Sequence, residues 1–139
     1  ADIAATLAPA EAATEVATEA AEVALSFPEG GDDSFSEASL AALRATMTAH
    51  VGVLRTEDGL ATALAEIARL EAAEAGSETF ANMCATATMI AAGAIQRRES
   101  RGGHFRTDYP ETDPGQASRS RTTLAEALAI RADYAETAP

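Results

Sequence analysis

Residues 97–111, RRESRGGHFRTDYPE, place Arg, Glu, Ser, His, Asp and Tyr within fifteen positions of an otherwise alanine-rich chain. Enzymes use these side chains for acid–base, nucleophilic and electrostatic work. A catalytic reading needs His104 beside a nucleophile and an orienting acid, with a pocket above them. The local pattern points elsewhere. After Gly102-Gly103 the residues HFRTDYP alternate in character, and Pro110 biases Tyr109 toward extended backbone. In an extended chain His104, Arg106 and Asp108 share one face, while Phe105, Thr107 and Tyr109 share the other. One face can make charged hydrogen bonds, with Arg as a fork-shaped donor, and the other can pack aromatic surface. That combination suits docking against another protein surface, and an extended segment on a thin bundle supplies no pocket. Arg98, Glu99, Ser100, Arg101, Gly102, His104, Phe105, Arg106, Asp108, Tyr109 and Pro110 are therefore expected to form a docking and structural motif. No catalytic, cofactor-binding or metal-binding residue is expected in the chain.

The remaining candidates for chemistry are sparse. His50 and His104 are the only histidines, and neither has a second metal ligand three or four residues away. Cys84 falls on an apolar helix face without a nearby base to form thiolate, which favours an inert core residue. A single cysteine excludes an internal disulfide and fits a reducing cytoplasm, the expected location. There is no glycine fingerprint for a dinucleotide and no phosphate-cradling loop. No apolar run reaches the length of a membrane span, so no membrane partner is expected.

The elements that must carry the motif read as helices. Alanine fills 36 of 139 positions, which favours closely packed helices over a sheet. The expected fold is all-α: an up-down-up three-helix bundle of the spectrin-repeat kind, with an extended segment and a short C-terminal helix. Ser34 and Glu37 form a capping box, with Ser36 as a rival cap, before Leu40, Leu43, Met47, Val51 and Leu54 at helical spacing. Gly52 is expected inside that helix. Thr56 caps a second helix with Leu60, Leu64, Ile67 and Leu70 on its apolar face, ended by Gly76. Ser77 caps a third, with Phe80, Cys84, Ala87, Ala91 and Ile95 inward. Arg97, Arg98 and Arg101 are expected in its last turn, and Gly102-Gly103 as its stop. Thr123 and Glu126 form a capping box for a short final helix. The boundaries are a helical tail and linker over 1–35, the bundle over 36–103, and a docking segment with terminal helix over 104–139.

Charge divides the chain. Residues 1–37 hold nine acids and no base, whereas the rest holds thirteen acids and all ten bases, every one Arg. A net charge of −12 disfavours nucleic acid as a partner, because phosphate is repelled. In the tail, ADIAATLA (1–8) reads as the close of a helix stopped by Pro9, and residues 10–25 as helix-permissive.

The segment RRESRGGHFRTDYPETD (97–113) resembles the signature near the end of L-aspartate oxidases and the related succinate dehydrogenase and fumarate reductase flavoproteins. LRATMTAHVGVLRTEDGLATALAEIARL (43–70) resembles the start of the same region, including its M-x-x-x-V-G-hydrophobic-x-R run, and ADIA resembles the close of the flavin-domain helix before it. The resemblance implies a C-terminal helical domain that packs on its own upstream FAD-binding domain. It implies a parent that oxidises L-aspartate to iminoaspartate with FAD, the first step of bacterial de novo NAD synthesis. The family's flavin- and substrate-binding groups lie upstream, so none maps onto a residue here, and the fragment alone is expected to be inactive and to hold no cofactor. ETDPGQASRSRTTLAEAL (111–128) lacks the Trp and second His usual in the dehydrogenases and reductases, which favours the oxidase. The alternatives are a succinate or fumarate flavoprotein domain and a free-standing helical interaction module. Residues 9–35 match no part of the family pattern. Surface that would face a flavin domain could self-associate, so Phe105 and Tyr109 are expected at a chain–chain contact or folded back on the bundle.

Overall fold

The computed structural model describes residues 33–135, so the expected tail helices over 1–25 and most of the 26–35 linker lie outside the described residues. The all-α expectation holds. Four helices, α1 (Glu37–His50), α2 (Glu57–Ala73), α3 (Glu78–Gln96) and α4 (Leu124–Ala135), are joined by two-residue strands β1 (Leu54–Arg55) and β2 (Phe105–Arg106) and a 3₁₀ turn over Pro114–Gln116.

Local chemistry sets where each helix begins. Ser36, the rival cap, is the one used: its hydroxyl accepts from the Ala38 N–H. Thr56 accepts from Gly59 N–H and Ser77 from Phe80 N–H, each satisfying a donor that the first helical turn leaves unpaired. Asp33 reinforces the start of α3 by accepting from the Ser77 hydroxyl and from Thr79. Thr123 and Glu126 close the expected reciprocal box at α4.

Three helix ends differ from the sequence reading, and α2 is one: it stops at Ala73 with Glu74, not Gly76, as its C-cap. α1 stops at His50, so Gly52 lies beyond it and Val53 and Leu54 project outward at 77% and 65% exposure. A methyl group on Gly52 would sit 2.7 Å from the Thr48 carbonyl oxygen, so the chain turns off the helix there only with glycine. α3 stops at Gln96 with Arg97 as its C-cap, before the glycines rather than at them. Gly102, at φ 59°, instead opens a tight turn closed by reciprocal hydrogen bonds between Arg101 and His104. Glycine at the first central position supplies the left-handed φ that such turns require.

The packing follows from the apolar stripes. Ser36 and Ser39 at the start of α1 bond Glu74 just after α2, while Glu57 at the start of α2 meets Arg98 just after α3. α1–α2 and α2–α3 are therefore antiparallel, as short connections demand. Leu60, Leu64 and Ile67 of α2 are sealed against Phe80, Cys84 and Ala91 of α3, all at 0% exposure. Each large aliphatic side chain so buried contributes roughly 1.5–3 kcal/mol. Small residues let the terminal helix join them: Ala127 is fully buried, Ile130 and Tyr134 pack on the core, and α4 contacts both α2 and α3. Arg131 fixes it further, donating to the buried Thr88 hydroxyl at 3.0 Å and pairing with Glu71. α4 is thus a full member of the bundle rather than a loose end. No helix among the described residues is long and apolar enough to cross a membrane.

Phe80 carries the junction of core and entering chain, since Phe35 stacks on it at 5.4 Å. Phe80→Ala should lower unfolding stability by about 3–5 kcal/mol. Urea denaturation followed by helical circular dichroism measures it, and a loss below about 1 kcal/mol would contradict this core assignment.

Candidate functional site: a polar clasp across the helix ends

β1 and β2 pair in parallel, with Leu54 opposite Phe105 and Arg55 opposite Arg106. This short pairing turns the two arginines toward the bundle and the two apolar residues toward solvent. Arg106 is the largest fully buried side chain of the described residues. Its Nε and Nη2 donate to the two Asp108 oxygens at 2.8 and 2.7 Å, a bidentate pair. Nη2 also reaches Glu57 Oε2 at 3.3 Å, and Nη1 donates to the Ala94 and Ile95 carbonyls at 3.4 and 3.2 Å. The guanidinium lies 5.0 Å from the centre of the Tyr109 ring. One side chain therefore caps the C-terminus of α3, where cations are favoured, and ties it to the N-terminus of α2.

The partners extend the same logic. Asp108 accepts the Glu57 backbone N–H at 2.9 Å, placing an anion at the positive end of α2. The Arg106 guanidinium, chiefly, holds the Asp108 carboxyl well below the usual carboxylate range. Glu57 receives Arg98 at 3.2 Å and lies 3.5 Å from the Tyr134 hydroxyl, which brings in the end of α4. Arg55 donates from Nε to the Val51 and Gly52 carbonyls at 3.1 and 2.9 Å, closing α1. Its backbone carbonyl accepts from Thr107 N–H at 2.9 Å.

A second buried knot lies between the α3 end and the 3₁₀ turn. Glu99 is fully buried and accepts from Arg101, from Arg97 and from the Asp113 backbone N–H. These donors, Arg101 first, outweigh burial and hold its carboxyl down at about 2. Ser100 accepts from Arg106 N–H at 2.9 Å and reaches the Tyr109 carbonyl at 2.8 Å. Gln116 brackets the Arg98 backbone, accepting its N–H and donating to its carbonyl.

His104 joins the two knots. Arg55 Nη1 lies 2.7 Å from Nδ1 and can only donate, so Nδ1 accepts and Nε2 donates to the Arg97 carbonyl at 3.0 Å. The ring is neutral in this arrangement. Burial, followed by the nearby Arg55, Arg106 and Arg97 charges, lowers its pKa despite the opposing bond to Arg97.

The sequence run is thus gathered in one place but spent on structure. Neither His104 nitrogen is open, Ser100 bonds backbone, and Glu99 and Asp108 are fixed as anions by guanidinium donors. Among the described residues no buried side-chain polar atom lacks a partner, and no group of three or more His, Cys, Asp or Glu is placed to hold a metal ion. Cys84 is sealed in the core with its thiol pushed up to about 11 by burial, then by Glu71. His50 lies beside the first turn of α2, near Gly59. The aromatic face is split: Tyr109 folds under Arg106, while Phe105 stays 38% exposed.

Free N–H groups at a helix start favour an anion such as a dinucleotide's pyrophosphate. Here the Asp108 and Asp33 carboxylates accept from the starts of α2 and α3, and the Ser36 and Thr123 hydroxyls from those of α1 and α4.

Comparison with known proteins then fixes the kinship. The family model described as fumarate reductase flavoprotein C-term matches residues 40–79 and 77–137, most of the chain and all of the clasp. The chain belongs to this flavoprotein C-terminal family. It is 52% identical over 83 residues to the L-aspartate oxidase of Rhodospirillum rubrum, covering 60% of this chain and 30% of the relative. The L-aspartate oxidase of Caulobacter vibrioides is 42% identical over 78 residues, 56% of this chain and 14% of the relative. That of Agrobacterium fabrum is 36% identical over 100 residues, 72% and 18% respectively. The chain therefore spans less than a third of the length of these relatives. No solved structure gives a significant match.

Sequence reasoning gave no structural role to Arg55, to Glu57 as a receiver of two arginines or to Gln116 in the clasp, nor to the α4 anchor Arg131. Arg55 gave a signal as the last residue of the M-x-x-x-V-G-hydrophobic-x-R run and Glu57 as an acid in a first helical turn; the others gave none, because long-range pairing leaves no local pattern.

Removing Arg106 would take the bidentate donor from Asp108, one of two arginines from Glu57 and the cap from two α3 carbonyls, so Arg106→Ala should cost on the order of 3–5 kcal/mol. Arg106→Lys should recover only part, since an ammonium cannot make the planar fork. Differential denaturation of the two variants checks this, and equal stabilities would rule out the fork. Acid should loosen the clasp in two stages. His104 has a lowered folded pKa, so its contribution is complete above about 6.5 and falls as pH drops below that value. Glu99 contributes above its ordinary 4.5 and loses that contribution as pH falls toward about 2. Stability measured from pH 8 to pH 2 should show both stages, and His104→Gln should abolish only the first.

Proposed function

We propose that this chain is the noncatalytic C-terminal helical domain of an FAD-dependent L-aspartate oxidase, packed against the flavin-binding part of a longer polypeptide. The parent oxidises L-aspartate to iminoaspartate, feeding NAD biosynthesis, and its flavin and substrate groups lie in that upstream part. The observation that carries the domain's role is the clasp itself. Glu99, Ser100, His104 and Asp108 are each bound to a helix end or to another member of the clasp. The oxidase assignment is supported by the three named relatives, all of them L-aspartate oxidases. The bundle serves as a rigid body whose shape, rather than reactivity, is what the rest of the enzyme uses.

The family description favours one alternative by name, a fumarate or succinate flavoprotein. Substrate separates the two readings. The purified full-length protein should show a flavin absorbance band that bleaches anaerobically with L-aspartate and not with succinate, while the 139-residue chain should be colourless. Bleaching by succinate alone would select the alternative, and a flavin band on the short chain would overturn the noncatalytic role.

A further inference from the structure

The β1–β2 pair is physically incomplete by itself. Parallel strands occur almost only in sheets covered on both faces, and two strands alone are marginal in water. Here the inner face is covered by the clasp, with Arg55 and Arg106 held in register. The outer face is bare: Leu54 and Phe105 lie side by side at 65% and 38% exposure, and Val53 adds 77%. The outer edge of β2 is occupied, since the Arg106 N–H and carbonyl bond Ser100 and Tyr109, whereas β1 has no strand on its outer edge among the described residues and can pair there with another extended segment.

We infer that the Val53–Leu54–Phe105 face is the seat on which the flavin-bearing part of the parent polypeptide docks, through an apolar surface or an added extended strand. The inference rests on the domain assignment above and names the surface that performs it. The clasp fixes both strands from behind, so the outer side chains are presented before a partner arrives, which lowers the ordering cost of binding. An added strand would complete the pair by backbone hydrogen bonding, a recurring recognition mode. The occupant follows from length: the matched relatives carry more than two-thirds of their chains outside the region that this chain covers. Another open apolar surface among the described residues, the α1–α3 groove at Met47, Met83 and Ile90, presents helix faces without a bare strand edge.

The test uses the full-length protein and compares wild type, Val53→Glu/Leu54→Lys, and Ile90→Asp as a groove control. All three substituted residues are exposed, so helical circular dichroism should be unchanged. Amide exchange of the unsubstituted peptide 103–109 should be roughly tenfold slower in wild type and Ile90→Asp than in Val53→Glu/Leu54→Lys. Fast exchange of that peptide in a wild-type protein that carries flavin would overturn the surface while leaving the domain assignment intact. So would loss of docking in Ile90→Asp alone. A wild-type dimer that the double variant turns into a monomer, seen by sedimentation, would mean a second copy covers the face and would also overturn the proposal. A full-length protein without a flavin band would sink the domain assignment itself, and this inference with it.

Discussion

The buried guanidinium of Arg106 is the constraint on which the other contacts depend. An unpaired charge inside a bundle of alanine and leucine is prohibitive, so everything around it must supply acceptors. Asp108 and Glu57 supply carboxylates, and the α3 end supplies two carbonyls that a helix terminus leaves vacant anyway. A cost of burial and a cost of helix termination are thus met by the same bonds. The arrangement also explains why α3 stops at Gln96. The chain must leave the helix there for Arg106 to return beneath it, and the glycine turn at 102–103 makes the return short.

The two carboxylate–arginine knots differ in what they join. The Arg106 knot connects separate helices: α3 to α2 through Asp108 and Glu57, and α4 through Tyr134. The Glu99 knot is local, holding residues 97–101 against 113–116. His104 bridges them as a neutral ring between a donor guanidinium and a carbonyl. A network this complete resists partial change, because deleting one member leaves buried partners unsatisfied. Such a block suits a domain whose task is to hold a fixed outer surface.

Membership of a flavoprotein C-terminal family fits the proposed docking role. The motif is dense in reactive side chain types, yet Arg106 and His104 turn inward onto helix ends. The exposed apolar surface is the reverse of the same strands, where Leu54 and Phe105 sit back to back with Arg55 and Arg106. Alternation along a strand converts one short sequence into an internal brace and an external face.

Helix starts were legible from sequence because caps are local: Thr56, Ser77 and the Thr123–Glu126 box act within one turn of their own position. The apolar stripes of α2 and α3 were legible for the same reason, since helical spacing by itself sets which residues share a face. The alternation of HFRTDYP was legible too, but not which face would turn inward. That choice required β1 as a partner, and pairing across fifty residues leaves no trace in either segment. The end of α1 at His50 and of α3 at Gln96, the seating of α4 through Ala127 and Arg131, and the role of Glu57 likewise came from the assembled fold. The sequence alone determined the elements whose energies are short-range; the tertiary structure decided where the buried charges went, because a charge is satisfied only by groups that folding brings to it.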